Sequence, residues 1–293
     1  MKFTKDADIL SFETKTIAGT FDLAKGIISS YNFKEDKSKM ITSFPTPYFW
    51  RAPTDNDFGN QMPVKSVIWK NAHLNPEVKS VTVGKQTEIG LPITVEYVLA
   101  DVKVPYTIKY LIQNNGNIKV TASIDITDKK LPELQRFGMR LQLAGAYENL
   151  NYYGRGPLEN YSDRKTASFI GNYQDKVANQ FVWEYIRPQE CGNKTDTRWF
   201  SLQNNNGLGL KITGEQALSF STLNVSAESL DPGKTKSQRH TNDVKPEDTV
   251  FVHVDLVQTG VGGDNSWGAH PHEPYLLKAP KYSYSYTLSL VQP

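Results

Sequence analysis

Apolar and polar residues alternate along most of this chain with a period of two. The pattern is clear over residues 78–83, 93–100, 104–112, 117–126, 199–203, 209–213, 218–223, 250–257 and 282–291. Alternation points successive side chains to opposite faces and predicts half-buried strands. Gly84, Gly90-Leu91-Pro92, Asn114-Asn115-Gly116-Asn117 and Asn204-Asn205-Asn206-Gly207 supply turns between them, and Asn115-Gly116 carries the type I′ hairpin signature. Residues 7–33 read as further short strands, with Gly19 and Gly26 at boundaries, and residues 134–143 as another. Only residues 63–74 predict a helix. Pro63 suits a first turn there, and Val64, Val67, Ile68 and Trp69 give a partly helical apolar face. The sum is all-β: a large antiparallel two-sheet sandwich, with strands near the ~8–12 residue spacing typical of such folds. No repeat or linker interrupts it, so residues 1–293 read as one domain.

Three polar–aromatic loops break the alternation. In the first, residues 45–60, Pro45, Pro47 and Pro53 with Tyr48, Phe49 and Trp50 argue against regular structure. Asp55-Asn56-Asp57 follows, ahead of Phe58, Gly59 and Asn60. These residues form turns by bonding their own backbone. Asp55 and Asp57 also admit a reading as metal ligands or catalytic carboxylates; the structural reading, a loop pinned by an acid–guanidinium pair with Arg51, comes first. An EF-hand would continue with further ligands and a closing Glu, and this run does not. The second loop, residues 149–165, holds Gly154-Arg155-Gly156-Pro157. It lacks the spacing and strand–helix context of a dinucleotide site. Its Arg155, Glu159, Asp163 and Arg164 suit a buried ion network or a sugar-facing cluster. The third, residues 260–268, is rich in glycine and ends in Trp267. An exposed indole there can lie on the apolar face of a sugar ring and donate its N–H to a hydroxyl. The competing reading is a core plug beneath a surface loop, the commoner use of tryptophan. Asp264 and Asn265 support the loop in either case.

Composition narrows the field. Lys+Arg 33 against Asp+Glu 31 leaves +2, and no block of like charge points to nucleic acid or an anionic membrane. A lone cysteine, Cys191, excludes an intrachain disulfide and a Cys-based zinc site. It reads as a buried thiol rather than a nucleophile, having no histidine nearby in sequence. No apolar run is long enough to span a bilayer, and residues 1–10 lack the apolar stretch of a signal peptide. The expectation is a soluble chain in the cytoplasm or periplasm; its abrupt start into strand-like sequence also fits a fragment of a longer protein.

Four separated motifs, taken together, carry a resemblance. They are Phe49-Trp50-Arg51-Ala52-Pro53-Thr54-Asp55-Asn56-Asp57-Phe58-Gly59, then Tyr153-Gly154-Arg155-Gly156-Pro157-Leu158-Glu159-Asn160-Tyr161-Ser162-Asp163-Arg164, then Arg187-Pro188-Gln189-Glu190, and finally residues 260–267. In this order they resemble the C-terminal, small-chain region of the lacZ-type β-galactosidases of glycoside hydrolase family 2. The resemblance implies a β-supersandwich related to galactose mutarotases, packed on a TIM-barrel catalytic domain upstream in the same polypeptide. By the same resemblance Trp267 is the tryptophan that this domain lends to the galactoside site. Gly59 and Asn60 begin the mobile active-site loop, here a few residues shorter than in the family's best-known member. Arg51, Asp55, Asn56, Asp57, Asp264 and Asn265 are loop support. The family's two catalytic glutamates, and its magnesium and sodium ligands, belong to other domains. No catalytic or metal-binding residue is therefore assigned here, and the isolated chain is expected to be inert. The parent is expected to be a homo-oligomer.

Two alternatives come from other classes. A free-standing aldose 1-epimerase needs a histidine acid and a glutamate base across the sugar. His73, His240, His253, His270 and His272 do not sit in such a motif, and His253 alternates inside a strand as a core residue does. A carbohydrate-binding module would use Trp267 as its platform and bind sugar alone.

Overall fold

A computed structural model describes residues 1–36, 38–265 and 267–293; Lys37 and Ser266 lie outside the described residues. The chain opens with a four-stranded antiparallel meander, β1 (Lys2–Asp6), β2 (Ile9–Glu13), β3 (Ile17–Asp22) and β4 (Ile27–Phe33). Strand β1 precedes the point where the sequence predicts the first strand. The second sheet has twelve strands. In chain order they are β5 (Ile41–Tyr48), β6 (Pro76–Val83), β7 (Gly90–Leu99), β8 (Val104–Gln113), β9 (Ile118–Asp125), β10 (Arg136–Ala144), β11 (Asn149–Gly156) and β12 (Phe169–Lys176). β13 (Lys194–Gln203), β14 (Gly209–Leu223), β15 (Thr249–Gln258) and β16 (Lys281–Val291) complete it. Their spatial order is β12-β11-β13-β14-β16-β9-β8-β7-β6.

Strand β14 makes the sheet branch. Its first part, Gly209 to Gly214, pairs with β16; its last part, Ser219 to Leu223, pairs with β15. β15 then carries β10, and β10 carries β5. This branch places the end of β15, and the loop after it, beside the segment that leaves β5.

Alternation does the packing. Strands β8 and β9 bury every second residue along most of their length. One apolar cluster joins Phe12, Phe21 and Tyr31 of the small sheet to Ile93, Tyr110 and Ile118 of the large one. Phe21 meets Tyr110 edge-on at 5.0 Å between ring centroids.

Three expectations need correction. The helix over 63–74 is broken into α2 (Met62–Lys65), which follows α1 (Asp55–Gly59), and a 3-10 turn at Val67–Trp69. Trp69 is wholly buried and its indole donates to the Pro132 carbonyl at 2.8 Å. Tertiary anchoring thus overrides a helix too short to stand alone. Pro45 and Pro47 lie inside β5, because among the described residues β5 pairs only with β10 and its other edge needs no N–H donors. Asn149–Gly156 is the paired strand β11, not a loop, and it is flanked by the polar edge strand β12, which the sequence leaves unrecognised.

Candidate functional site

Residues 51–60 fold around Arg51, which is wholly buried. Its Nε donates to Asp57 Oδ2 at 3.1 Å and its Nη2 to Asp57 Oδ1 at 2.8 Å. Asp57 Oδ2 also accepts from the Thr54 N–H at 3.0 Å, while Thr54 Oγ1 accepts from the Asp57 N–H. That reciprocal box caps α1. The remaining donors of Arg51 reach another segment: Nη1 donates to the Thr259 carbonyl and Nη2 to the Gly260 carbonyl at 2.9 Å. A buried bidentate pair with two further protons placed on carbonyls supports both charges. It also ties the 51–60 corner to the root of the tryptophan loop.

Asp55 does not join this pair. Its Oδ1 lies 3.2 Å from Arg187 Nε and 2.7 Å from Lys236 Nζ. Asn56 is half-buried in α1, and its carbonyl accepts from the Asn60 N–H at 2.9 Å. Asn60 is buried; its Oδ1 accepts from the Met62 N–H at 3.0 Å and its carbonyl from Lys65 Nζ at 2.9 Å. It borders a cavity of about 260 Å³ shared with Gln135, Thr259 and His270.

The loop after β15 is held at several points. The Thr259 N–H donates to the Gln135 carbonyl at 2.9 Å, and the Gly260 N–H to the Tyr275 carbonyl at 2.9 Å. The Gly262 N–H donates to Asp163 Oδ2 at 2.8 Å. Near the tip, Asn265 Oδ1 accepts from the Trp267 N–H at 2.9 Å, a local side-chain turn, and Asp264 Oδ1 meets His272 Nε2 at 2.8 Å. Gly268 has a φ of +100°, and a Cβ added there would sit 2.2 Å from the Gly59 carbonyl carbon. A Cβ on Gly59 would sit 2.5 Å from Gly268 Cα. The two backbones touch where neither could carry a side chain. Gly59 and Trp267, more than two hundred residues apart in sequence, are thereby brought to one corner.

Trp267 itself is 87% exposed, more than any other large apolar side chain among the described residues. The core-plug reading is overturned. An indole of roughly 200 Å² left in water forgoes about 4 kcal/mol of burial. The loop, rooted by buried contacts, holds this surface outward. A groove of about 1030 Å³ is walled by Glu159, Arg164, Trp183 and Lys194, among others, and Trp267 is not part of its lining.

The charged residues of 155–164 serve separate contacts rather than one cluster. Arg155 pairs with Asp196 at 2.5 Å, Glu159 with Arg164 at 2.5 Å, and Asp163 reaches the tryptophan loop. Cys191 is buried, and burial pushes its thiol up, away from thiolate chemistry. Among the described residues there is no group of three or more His, Cys, Asp or Glu arranged to hold a metal ion, and no helix long and apolar enough to cross a membrane.

A second buried cluster escaped the sequence reading, which named His253 and Glu190 singly but did not join them. Arg136, wholly buried, donates through Nη2 to Glu190 Oε1 at 2.8 Å and through Nη1 to His253 Nδ1. Asp255 Oδ2 lies 3.3 Å from Arg136 Nε, yet neither Asp255 oxygen has a well-directed hydrogen bond. His253 accepts from a guanidinium, which requires a neutral ring. Burial, with Arg136, Arg140 and His73 adding to it, drives its pKa well below the usual value. The available signal was charged residues at inward positions of apolar strands.

Comparison with known proteins places this geometry. The family model described as "Beta galactosidase small chain" matches residues 13–288. A β-galactosidase of Priestia megaterium is 37% identical over 283 residues, covering 95% of this chain and 26% of the relative. One from Streptococcus thermophilus is 34% identical over 259 residues, covering 86% of this chain and 24% of the relative. The chain thus spans about a quarter of the length of these relatives. Among solved structures, the galactose 1-epimerase of Lactobacillus acidophilus superposes with a TM-score of 0.52 at 9% identity, over 100% of this chain and 98% of that one. It shares the mutarotase-like β fold. The chain belongs to the β-galactosidase small-chain family.

Proposed function

We propose that this chain forms one wall of the galactoside site of a retaining β-galactosidase, with Trp267 as the surface on which the sugar stacks. The observation that carries the reading is a fully presented indole on a loop rooted by buried contacts. The names of the relatives support the substrate class. Retaining glycosidases cleave with two carboxylates about 5 Å apart, one acid/base and one nucleophile. We assign both to the catalytic domain upstream, where the much greater length of the relatives leaves room for it. The role of this wall is then to orient sugar and exclude water; it moves no proton. Gly59 and Asn60 form the rim beside the platform, and the Gly59–Gly268 contact makes rim and platform one unit. Asp55 and Asp57 are engaged by Arg187, Lys236 and Arg51, so we place the parent's magnesium and sodium sites in its other domains.

Stacking holds the sugar in ground and transition states alike. Trp267→Ala in the parent enzyme is therefore expected to raise KM about tenfold, the equivalent of ~1.4 kcal/mol, with kcat much less affected. Steady-state kinetics on nitrophenyl galactosides and lactose measure this. Unchanged KM on every substrate would remove Trp267 from the site.

A further inference from the structure

Trp267 can act as a platform only if its loop has one position, and a glycine-rich loop has little stiffness of its own. Arg51 fixes the root through the carbonyls of Thr259 and Gly260. Beyond the root, the loop meets a carboxylate from a segment about a hundred residues earlier. Asp163 Oδ2 accepts from the Gly262 N–H at 2.8 Å, a charge-assisted bond. The same oxygen would lie 2.5 Å from a Cβ on Gly260 and 3.3 Å from one on Gly262. Glycine at 260 thus leaves room for the carboxylate against the backbone, and at 262 the fit would be tight. The other oxygen, Oδ1, is buried and has no hydrogen-bond partner among the described residues. Asp163 is placed to hold the loop rather than to satisfy itself, which is the mark of a group kept for position.

We propose that Asp163 is a positioning residue: it fixes the loop between Arg51 and the tip, so that the indole of Trp267 is presented at one height and angle. Its importance to catalysis rests on the reading of Trp267 as the sugar platform. Its effect on the loop does not.

The test uses the chain labelled with 5-fluorotryptophan and observed by fluorine NMR. Trp50, Trp69, Trp183, Trp199 and Trp267 give separate signals, and Trp267→Phe assigns the last. In Asp163→Ala the Trp267 signal is expected to shift and narrow while the other four stay. In Asp163→Asn, whose amide oxygen still accepts from Gly262, it is expected to return toward the wild-type position. A Trp267 signal indifferent to Asp163→Ala, or five signals moving together, overturns the proposal. In the parent enzyme Asp163→Ala is expected to raise KM about threefold to tenfold with little change in kcat, and to add nothing to KM in a Trp267→Ala background. If Trp267→Ala raises KM and Asp163→Ala does not, positioning fails. If Trp267→Ala itself leaves KM unchanged, the platform reading fails, and the NMR result still decides whether Asp163 holds the loop.

Discussion

Arg51 and Arg136 are both wholly buried, each beside an aspartate, yet the two sites are built differently. Around Arg51, Asp57 is gripped through both oxygens, and the remaining bonds go to two carbonyls of the tryptophan loop. Around Arg136, Glu190 and His253 take the terminal nitrogens, while Nε and both oxygens of Asp255 lack well-directed partners. A saturated pair fixes geometry. An unsaturated one leaves a carboxylate whose charge is poorly supported, and burial, with Glu190 adding to it against Arg136, pushes the Asp255 pKa up to about 7. The first site is a clamp on the tryptophan loop; the second holds a carboxyl group that burial pushes toward its protonated form.

Breaking the clamp gives the largest effect. Arg51→Ala leaves the Asp57 carboxylate buried without its counter-charge and is expected to destabilise the chain by about 3–5 kcal/mol. Urea unfolding measures it, and a loss under about 1 kcal/mol would show that the pair is not a clamp.

The second prediction concerns pH. Unfolded, Asp255 titrates near 3.9 and His253 near 6.5. The folded state holds the Asp255 proton up to about pH 7, so this group's stabilisation is present below about pH 4 and is lost as pH rises to about 7. His253 is neutral when folded, so its contribution is lost as pH falls below about 6.5. The two slopes oppose one another. Asp255→Asn removes the first, so its stability relative to wild type is expected to climb from about pH 4 to about pH 7. Unfolding curves at several pH values measure the difference; one that is flat in pH would contradict the assignment.

The smallest effect belongs to Asp55, whose partners are partly solvated surface cations. Asp55→Ala is expected to change stability by at most about 1 kcal/mol. Chelator should leave the melting temperature of the wild-type chain unchanged; a chelator-sensitive melt would place a metal at the Asp55–Asp57 loop instead.

These contrasts also show what could be read in the sequence. The strands were legible wherever one face is buried, because alternation reports that directly, as in β8 and β9. Asn115-Gly116 marked its hairpin but not its turn type: only Gly116 takes a positive φ, +95°, and its N–H donates to the Gln113 carbonyl at 2.9 Å, so the connection is a turn over residues 113–116 closed by a left-handed glycine rather than type I′. Pro45 and Pro47 misled because edge position in a sheet is a tertiary fact. The cap formed by Thr54 and Asp57, and the short helix it starts, were not read from the sequence, where the prolines around them argued for an irregular loop. The loop of Trp267 stood out through its glycines, yet the sequence could not say which way the indole faced. Asp163 under that loop, and Asp255 opposite Gly138, depend on how distant segments meet, and no local pattern records that.

The central claim is that this chain completes a site whose carboxylates lie elsewhere. Nitrophenyl-β-galactoside hydrolysis by the purified chain, with and without a separately expressed upstream fragment of the parent, tests it most directly. The account predicts no turnover by the chain alone and turnover on mixing, lost again when this chain is omitted. Turnover by the 293 residues alone would mean that a whole active site lies within them, and would contradict it.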